Sequence, residues 1–317
     1  MPDKLLRMTR SRSSDAASLR PVMLAVAGDS ASGKTTLARG LVEAMGVDRC
    51  TSICVDDYHR YDRAERRNLP VTPLHPDCNY IDIMEQHLQM LALGQPILKP
   101  VYDHRTGTFA RPEYVVPREF VIVEGLFPLF TKLSRACFDI SVFLDPPEDI
   151  RRSWKLLRDT TQRGYTDAEV RRDLELREPD SAAYIRPQRR SADIVVRFAP
   201  AADSARPQDV PLSAELLLRP TIQHPPLSHI LTDDVRTAMH LKIIRDTDGT
   251  PVDALHVHGH AQPEEIRLLE KAIWDGVADR RDMPQGLGEI RSGGRSETLA
   301  VTQLLLLYHL VQEVYQT

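Results

Sequence analysis

The sequence predicts an α/β fold, a mostly parallel sheet flanked by helices, with a smaller C-terminal α+β extension. Two observations carry this expectation. Short apolar runs such as Met23 to Ala27 and Phe120 to Val123 alternate with segments of helical spacing, the pattern of buried parallel strands and their crossovers. Beyond Pro211 the order changes to a strand, a hairpin and then two helices.

The first run leads into Gly28-Asp29-Ser30-Ala31-Ser32-Gly33-Lys34-Thr35-Thr36, and helical spacing continues from there to Met45. Between a strand and a helix this spelling is a phosphate-binding loop of the P-loop NTPase type. Its glycines let successive N–H groups turn inward at a phosphate, with the positive end of the helix behind them. Lys34 then reaches the terminal phosphates and Thr35 ligates magnesium. A glycine-rich turn without a ligand is the alternative.

Thr51 to Val55 forms a second apolar run ending in Asp56-Asp57-Tyr58-His59, which brings carboxylates to the sheet edge where ligands bind. The pair either serves chemistry or caps a helix. Residues 60–79 are polar and carry Pro70, Pro73 and Pro76, so they read as a loop able to fold over a substrate. Ile81 to Leu93 is helical and stops at Gly94. Pro100-Val101-Tyr102-Asp103-His104, a glycine turn and Tyr114 to Val116 make a hairpin arm, suited to hydroxyl recognition or simply solvated. Phe120 to Val123 ends in Glu124, either a magnesium-site acid or a solvated strand end.

Ile140 to Leu144 is a further strand, and Pro146-Pro147 opens a long helix carrying Lys155, Arg158 and Asp159. Arg163 follows beside the hinge glycine Gly164, and Thr166 with Glu169 makes a capping box for a helix to about Arg177. The cations read as a lid that neutralises a transferring phosphoryl group, or as a solvated helix face. Ile194 to Phe198 closes the unit, and the Ala-, Pro- and Asp-rich stretch from Ala199 to Pro211 marks a boundary. The expected parts are therefore a disordered leader at 1–20, a P-loop domain at 21–199 and the extension at 200–317.

In the extension, Asp246-Thr247-Asp248-Gly249 turns a hairpin between Ala238 to Arg245 and Asp253 to His258. Glu264 to Val277 and Ser296 to Tyr315 are helical, the latter with Ala300, Leu304, Leu307, Val311 and Val314 on one stripe. His256, His258 and His260 alternate and share a strand face, either as metal ligands or as ordinary edge histidines.

Among 317 residues, 41 basic and 45 acidic side chains leave a net charge of −4, which argues against a general nucleic-acid or acidic-membrane binder. No apolar run approaches the roughly 18–20 residues of a membrane span. Cys50, Cys54, Cys78 and Cys137 lack metal-ligand spacing and fit a reducing cytoplasm. The leader is basic and has no apolar signal core; a transit peptide is its alternative, weakened by Asp3 and Asp15.

Together these parts imply phosphoryl transfer to a hydroxyl, with Asp56 as the base and Asp57 orienting substrate or holding magnesium through water. Gly28 to Thr36, Asp56 to Arg63, Pro100 to His104, Val123-Glu124-Gly125-Leu126 and Trp154 to Tyr165 resemble, in order, the phosphoribulokinase/uridine kinase family, on its phosphoribulokinase side. The resemblance spans residues 21–198 and implies ATP- and magnesium-dependent phosphorylation of the C1 hydroxyl of D-ribulose 5-phosphate. It makes Asp56 the base, Asp159 a residue of turnover and Glu124 a magnesium-site acid, with Arg63, His104, Lys155, Arg158, Arg163 and Arg177 as contacts to the sugar phosphate or the transferring phosphoryl group. The residues themselves add Lys34 to the residues of turnover, Thr35 to the magnesium site, and Asp57, His59 and Tyr102 to the substrate contacts.

The resemblance also implies a homodimer, from the length and element order of the extension. Photosynthetic members carry a regulatory cysteine where this chain has Ser32, so the disulfide switch involving the position of Cys54 is not implied. Kinases of another sugar phosphate, a free sugar or a nucleoside are the alternatives, and a nucleotide-binding regulator without turnover is a third.

Overall fold

The computed structural model describes residues 20–67, 69–200, 211–277, 282–290 and 293–316. The expected leader lies outside them except for Arg20, as do residues 201–210 of the boundary stretch. In chain order, β1 (Val22–Gly28) feeds α1 (Lys34–Met45), and β2 (Cys50–Cys54) ends in a tight turn, Val55–Tyr58. Helices α2 (Arg63–Arg66) and α3 (Ile81–Ala92) precede an arm made of β3 (Ile97–Asp103) and β4 (Thr108–Val115). Then follow β5 (Phe120–Gly125), α4 (Lys132–Arg135), β6 (Ile140–Leu144), α5 (Glu148–Gln162), α6 (Asp167–Asp180) and β7 (Ile194–Ala199). The extension comprises β8 (Ser213–Leu218), β9 (Met239–Arg245), β10 (Pro251–Val257), α7 (Pro263–Gly276) and α8 (Glu297–Gln316).

The strands outside the arm form one sheet in the order β2-β5-β1-β6-β7-β8-β10-β9. The five strands from β2 to β7 pair in parallel, and β8, β10 and β9 continue the sheet antiparallel. Parallel strands need both faces covered, which is why β1, β5 and β6 are buried at every residue. One face packs with α1, α7 and α8 into a cluster reaching from Leu24 of β1 to Leu255 of β10. On the other face, Met84 and Leu88 of α3 join Val121 and Val123 of β5. The carboxyl ends of β1, β2 and β5 all open at the same edge of the sheet.

Three local differences from the sequence reading have physical causes. Val55 begins the turn rather than ending the strand, because Asp57 is drawn to the arm and accepts from the Tyr102 N–H at 2.8 Å. Helix α6 starts at the expected capping box, with Glu169 N donating to Thr166 Oγ1 at 3.3 Å, but runs past Arg177 to Asp180. Pro179 lacks an N–H donor, and the chain loosens there into a π-helical turn, Ser181–Ile185. Helix α8 is buried around its circumference rather than along one stripe: Leu305 and Leu306 are as covered as Leu304 and Leu307. It packs between α1, α7 and the sheet, which calls for an apolar surface on every side. The side chain of Val314 lies outside the described residues.

Candidate active site

The cradle forms where β1 must turn back into α1. Gly28, Ala31 and Gly33 hold positive φ values of 150°, 64° and 98°, and Ala31 is the one non-glycine residue to do so among the described residues. A left-handed alanine costs about 1–2 kcal/mol, so the surrounding contacts over-determine the loop. A Cβ on Gly28 would lie 2.7 Å from Ser32 Oγ and 2.8 Å from Leu144 O, so no other residue fits there. Lys34 Nζ donates to the Asp29 carbonyl at 2.7 Å, which holds the ammonium over the loop. Thr36 is a residue of α1, and its carbonyl faces Gln303 of α8.

Thr35 Oγ1 donates to Glu124 Oε1 at 2.9 Å, so the phosphate loop meets the acid at the end of β5. Burial raises the Glu124 carboxyl above its usual range despite the pull of Lys34. Such a desolvated acid is stabilised by a cation. Gly125, with φ 152°, lets the turn after β2 close against this strand: a Cβ there would lie 2.2 Å from Val55 Cγ2 and 3.4 Å from Asp56 Oδ1. Asp56 is thereby held beside the cradle with Oδ1 buried and without a hydrogen-bond partner. Burial would raise its carboxyl, but His59, Lys34, His104 and Arg163 together hold it below the usual range. It is therefore ionised at neutral pH.

The acceptor wall surrounds this carboxylate. His104 Nε2 stands 3.9 Å from Asp56 Oδ2, and Arg63 Nη2 donates to the His104 carbonyl at 2.5 Å. The Arg63 guanidinium also lies 5.9 Å from the Tyr165 ring centre, so the arm, the loop and the segment after α5 meet at one point. Asp57 faces away from the open site: its oxygens accept from Lys99 Nζ and Tyr102 N. Tyr102 is buried, accepts from Arg66 at 2.6 Å through its hydroxyl, and packs edge-on against His59 and His104. Burial pushes the His59 imidazole down to about 4, and its Nδ1 shares a 2.8 Å bond with Asn79 Oδ1. The Asn79 amide donates to Pro73 O and His75 O, which fixes its oxygen toward His59. His59 is thus a brace of the wall, fixed by Asn79.

Asp159 gathers the cations of α5. Lys155 Nζ donates to its Oδ2 at 2.7 Å and Arg158 Nε to its Oδ1 at 2.8 Å, while Arg163 Nη1 lies 3.6 Å from the same oxygen. Burial alone would raise the Asp159 carboxyl, but Arg158 and Lys155 bring it down to about 2. Burial and the nearby Arg177 push the Lys155 ammonium down to about 8 against the pull of Asp159. Arg177 itself donates to Asp173 at 2.5 Å and lines a small pocket with Lys155, Ser30 and Asp29.

Two partners in this region escape sequence reasoning. Lys99, which engages Asp57, has no flag in its alternating strand. Arg151 donates to Ser30 O at 3.0 Å, and its one signal is its place a helical turn before Lys155 on the same face. Cys54 lies next to the acids; burial, then Glu124 and Asp56, push its thiol well up. Ser32 is fully buried. In the extension, His258 Nε2 is 2.7 Å from His240 Nδ1, and His256 Nε2 is 3.1 Å from Glu215. Among the described residues, no group of three or more His, Cys, Asp or Glu is arranged to hold a metal ion.

Comparison with known proteins gives the family and the fold. The model of the phosphoribulokinase/uridine kinase family matches residues 23–205. The chain is 41% identical over 181 residues to a phosphoribulokinase of Synechocystis, covering 57% of this chain and 54% of that one. A uridine kinase of Deinococcus deserti is 33% identical over 183 residues, covering 56% of this chain and 88% of the relative. The chain spans about half the length of the curated phosphoribulokinases it matches. The solved phosphoribulokinase of Rhodobacter spheroides shares the fold, with a TM-score of 0.57, 17% identity and coverage of 81% of this chain and 96% of that one.

Proposed function

Because the chain belongs to the phosphoribulokinase/uridine kinase family, we propose that it transfers the γ-phosphoryl group of ATP to the C1 hydroxyl of D-ribulose 5-phosphate. The acceptor oxygen bonds to the γ-phosphorus as the bond to the β,γ-bridging oxygen breaks. The hydroxyl proton passes to Asp56, and the products are ribulose 1,5-bisphosphate and ADP. The observation that carries this reading is the set of cations around Asp159. Lys155, Arg158 and Arg163 converge on one buried carboxylate, and Arg163 acts on Asp56 as well. A phosphorylated acceptor and a transferring phosphoryl group together need that much positive charge; a neutral nucleoside does not.

Position supports the remaining roles in this reading. The N–H groups of Gly28 to Thr36 bind the nucleotide phosphates and Lys34 neutralises the terminal ones. His104, Arg63 and Arg177 contact the sugar phosphate, with Tyr102, His59 and Asp57 shaping the wall they stand in. Thr35 and Glu124 fit a divalent cation, since a buried carboxylate with a raised pKa and a hydroxyl lie 2.9 Å apart at the cradle. Magnesium bound there would neutralise charge on the β- and γ-phosphates.

The same reading makes the protein a cytoplasmic homodimer. Among the described residues its four cysteines form no disulfide, which supports the compartment, and no helix among those residues is long and apolar enough to cross a membrane. The dimer is supported by the edge strand β9, where Ile243 is 80% exposed. Purified protein with ATP and magnesium is expected to turn over ribulose 5-phosphate far faster than ribose 5-phosphate or uridine in a coupled ADP-release assay. Equal or absent turnover across that panel removes the substrate assignment.

A further inference from the structure

The turn after α6 touches both halves of the site. Ser181 Oγ, buried with 2% of the residue exposed, donates to Asp29 Oδ2 of the phosphate cradle, whose Oδ1 accepts from Ser30 N at 2.6 Å. One residue earlier, Asp180 Oδ2 accepts from Thr72 Oγ1 at 2.7 Å and Thr72 N at 3.2 Å. One turn later, the Tyr184 hydroxyl lies 3.1 Å from His75 Nε2. Thr72 and His75 belong to the loop that Asn79 closes onto His59, the brace beside Asp56.

Successive side chains of a helix diverge by about 100°, and where α6 passes into the π-helical turn this divergence sets Asp180 against the acceptor loop and Ser181 against the cradle. The turn also lies directly beyond α6, which carries Arg177.

We propose that Asp180 and Ser181 are positioning residues that couple the two substrate sites, Ser181 by fixing the cradle through Asp29 and Asp180 by fixing the acceptor loop through Thr72. This rests on the reading of the site as an ATP-dependent sugar-phosphate kinase. Each residue serves one substrate through the wall it holds and the other through the shared turn, so nucleotide and sugar phosphate strengthen each other's binding reciprocally.

The test uses the full chain with magnesium and calorimetric binding of a non-hydrolysable ATP analogue and of ribulose 5-phosphate, each alone and with the other saturating. Ser181→Ala is expected to weaken the analogue about tenfold while ribulose 5-phosphate alone changes less than about twofold. Asp180→Asn is expected to do the reverse, and both variants lose the mutual strengthening seen in the parent. Thr72→Ala deletes the second contact from the loop side and reproduces Asp180→Asn if that variant folds poorly. Parent-like binding in Ser181→Ala and Thr72→Ala overturns the proposal. So does equal weakening of both ligands accompanied by a lowered melting temperature, which marks a structural role alone. Should the parent bind the analogue but not ribulose 5-phosphate, the substrate reading fails, and the analogue affinity of Ser181→Ala still decides the role of Ser181.

Discussion

The parallel and antiparallel halves of the sheet are built for different work. In the parallel half, the ends of β1 and β5 and the turn after β2 carry residues that the site uses, and the interiors of β1 and β5 are apolar. Among the described residues, the antiparallel half, β8, β10 and β9, supplies none of the side chains placed in the site, yet α8 packs against α1 immediately behind the cradle. Chemistry therefore depends on strand ends in one half, and rigidity depends on a helix contributed by the other. Mutations in the two halves should separate accordingly, with rate lost from the first and stability lost from the second.

The largest effect is expected at Asp56. Asp56→Asn removes the proton acceptor while keeping the shape of the turn, so kcat should fall by about two to four orders of magnitude. Nucleotide affinity should hold, since the cradle does not use that carboxylate. Steady-state kinetics with isothermal titration of ATP separates the two quantities. Activity surviving the change would put the base elsewhere.

A smaller, pH-dependent effect belongs to Lys155. Its folded-state pKa is pushed down to about 8, so the ammonium is charged below that pH and neutral above it. Lys155 therefore contributes charge at neutral pH, and kcat/KM should fall as the pH rises through about 8. Lys155→Arg keeps its charge at every accessible pH. That variant should lose the alkaline limb from the pH profile even where its absolute rate is lower. An unchanged limb would assign it to another group.

In the other half, Gly40 tests the contact between α1 and α8. A Cβ at Gly40 would lie 2.0 Å from Gln303 Nε2, and Gln303 is fully buried with its Oε1 accepting from Gly288 N at 2.8 Å. Gly40→Ala gains about 1 kcal/mol of helix propensity but forces Gln303 from its pocket, an overpacking cost of about 1–3 kcal/mol. The net expectation is modest destabilisation by urea unfolding with KM for ATP nearly unchanged. Adding Gln303→Ala should return part of the lost stability by making room.

The two halves also differ in how much of them could be read from residues alone. Gly28 to Thr36, the acids after β2 and β5, and the α5 cations follow spellings in which local geometry dictates residue type, so their elements were legible in the sequence. The capping box at Thr166 is legible for the same reason. What stayed hidden depends on distant chain segments meeting. Asp57 reads as an acid that orients substrate or holds magnesium through water, and only the fold brings Lys99 of the arm to engage it. Ser181 carries no signal in the sequence, and its partner Asp29 lies 152 residues away. The burial of α8 on all sides was concealed because Leu305 and Leu306 satisfy an amphipathic pattern poorly and need a third packing partner to explain them.

The smallest effect on the folded chain is expected at the sheet's open edge. Strand β9 has β10 on one side and no strand on the other among the described residues, and Ile243 presents its side chain there almost fully exposed. Leu241 and Ile243 leave exposed apolar side chains on this edge strand beside the exposed charges of Lys242 and Arg245, and apolar edge residues invite pairing with a second copy, which charge discourages. Ile243→Lys places such a charge on the edge without touching the core, so unfolding stability of the protomer should change by less than about 0.5 kcal/mol. If the edge is where two copies meet, sedimentation velocity should show the dimer giving way to monomer in this variant while the parent stays dimeric. A parent that sediments as a monomer, or a variant that remains fully dimeric, would remove β9 as the meeting surface and leave the antiparallel half with support of α1 as its role.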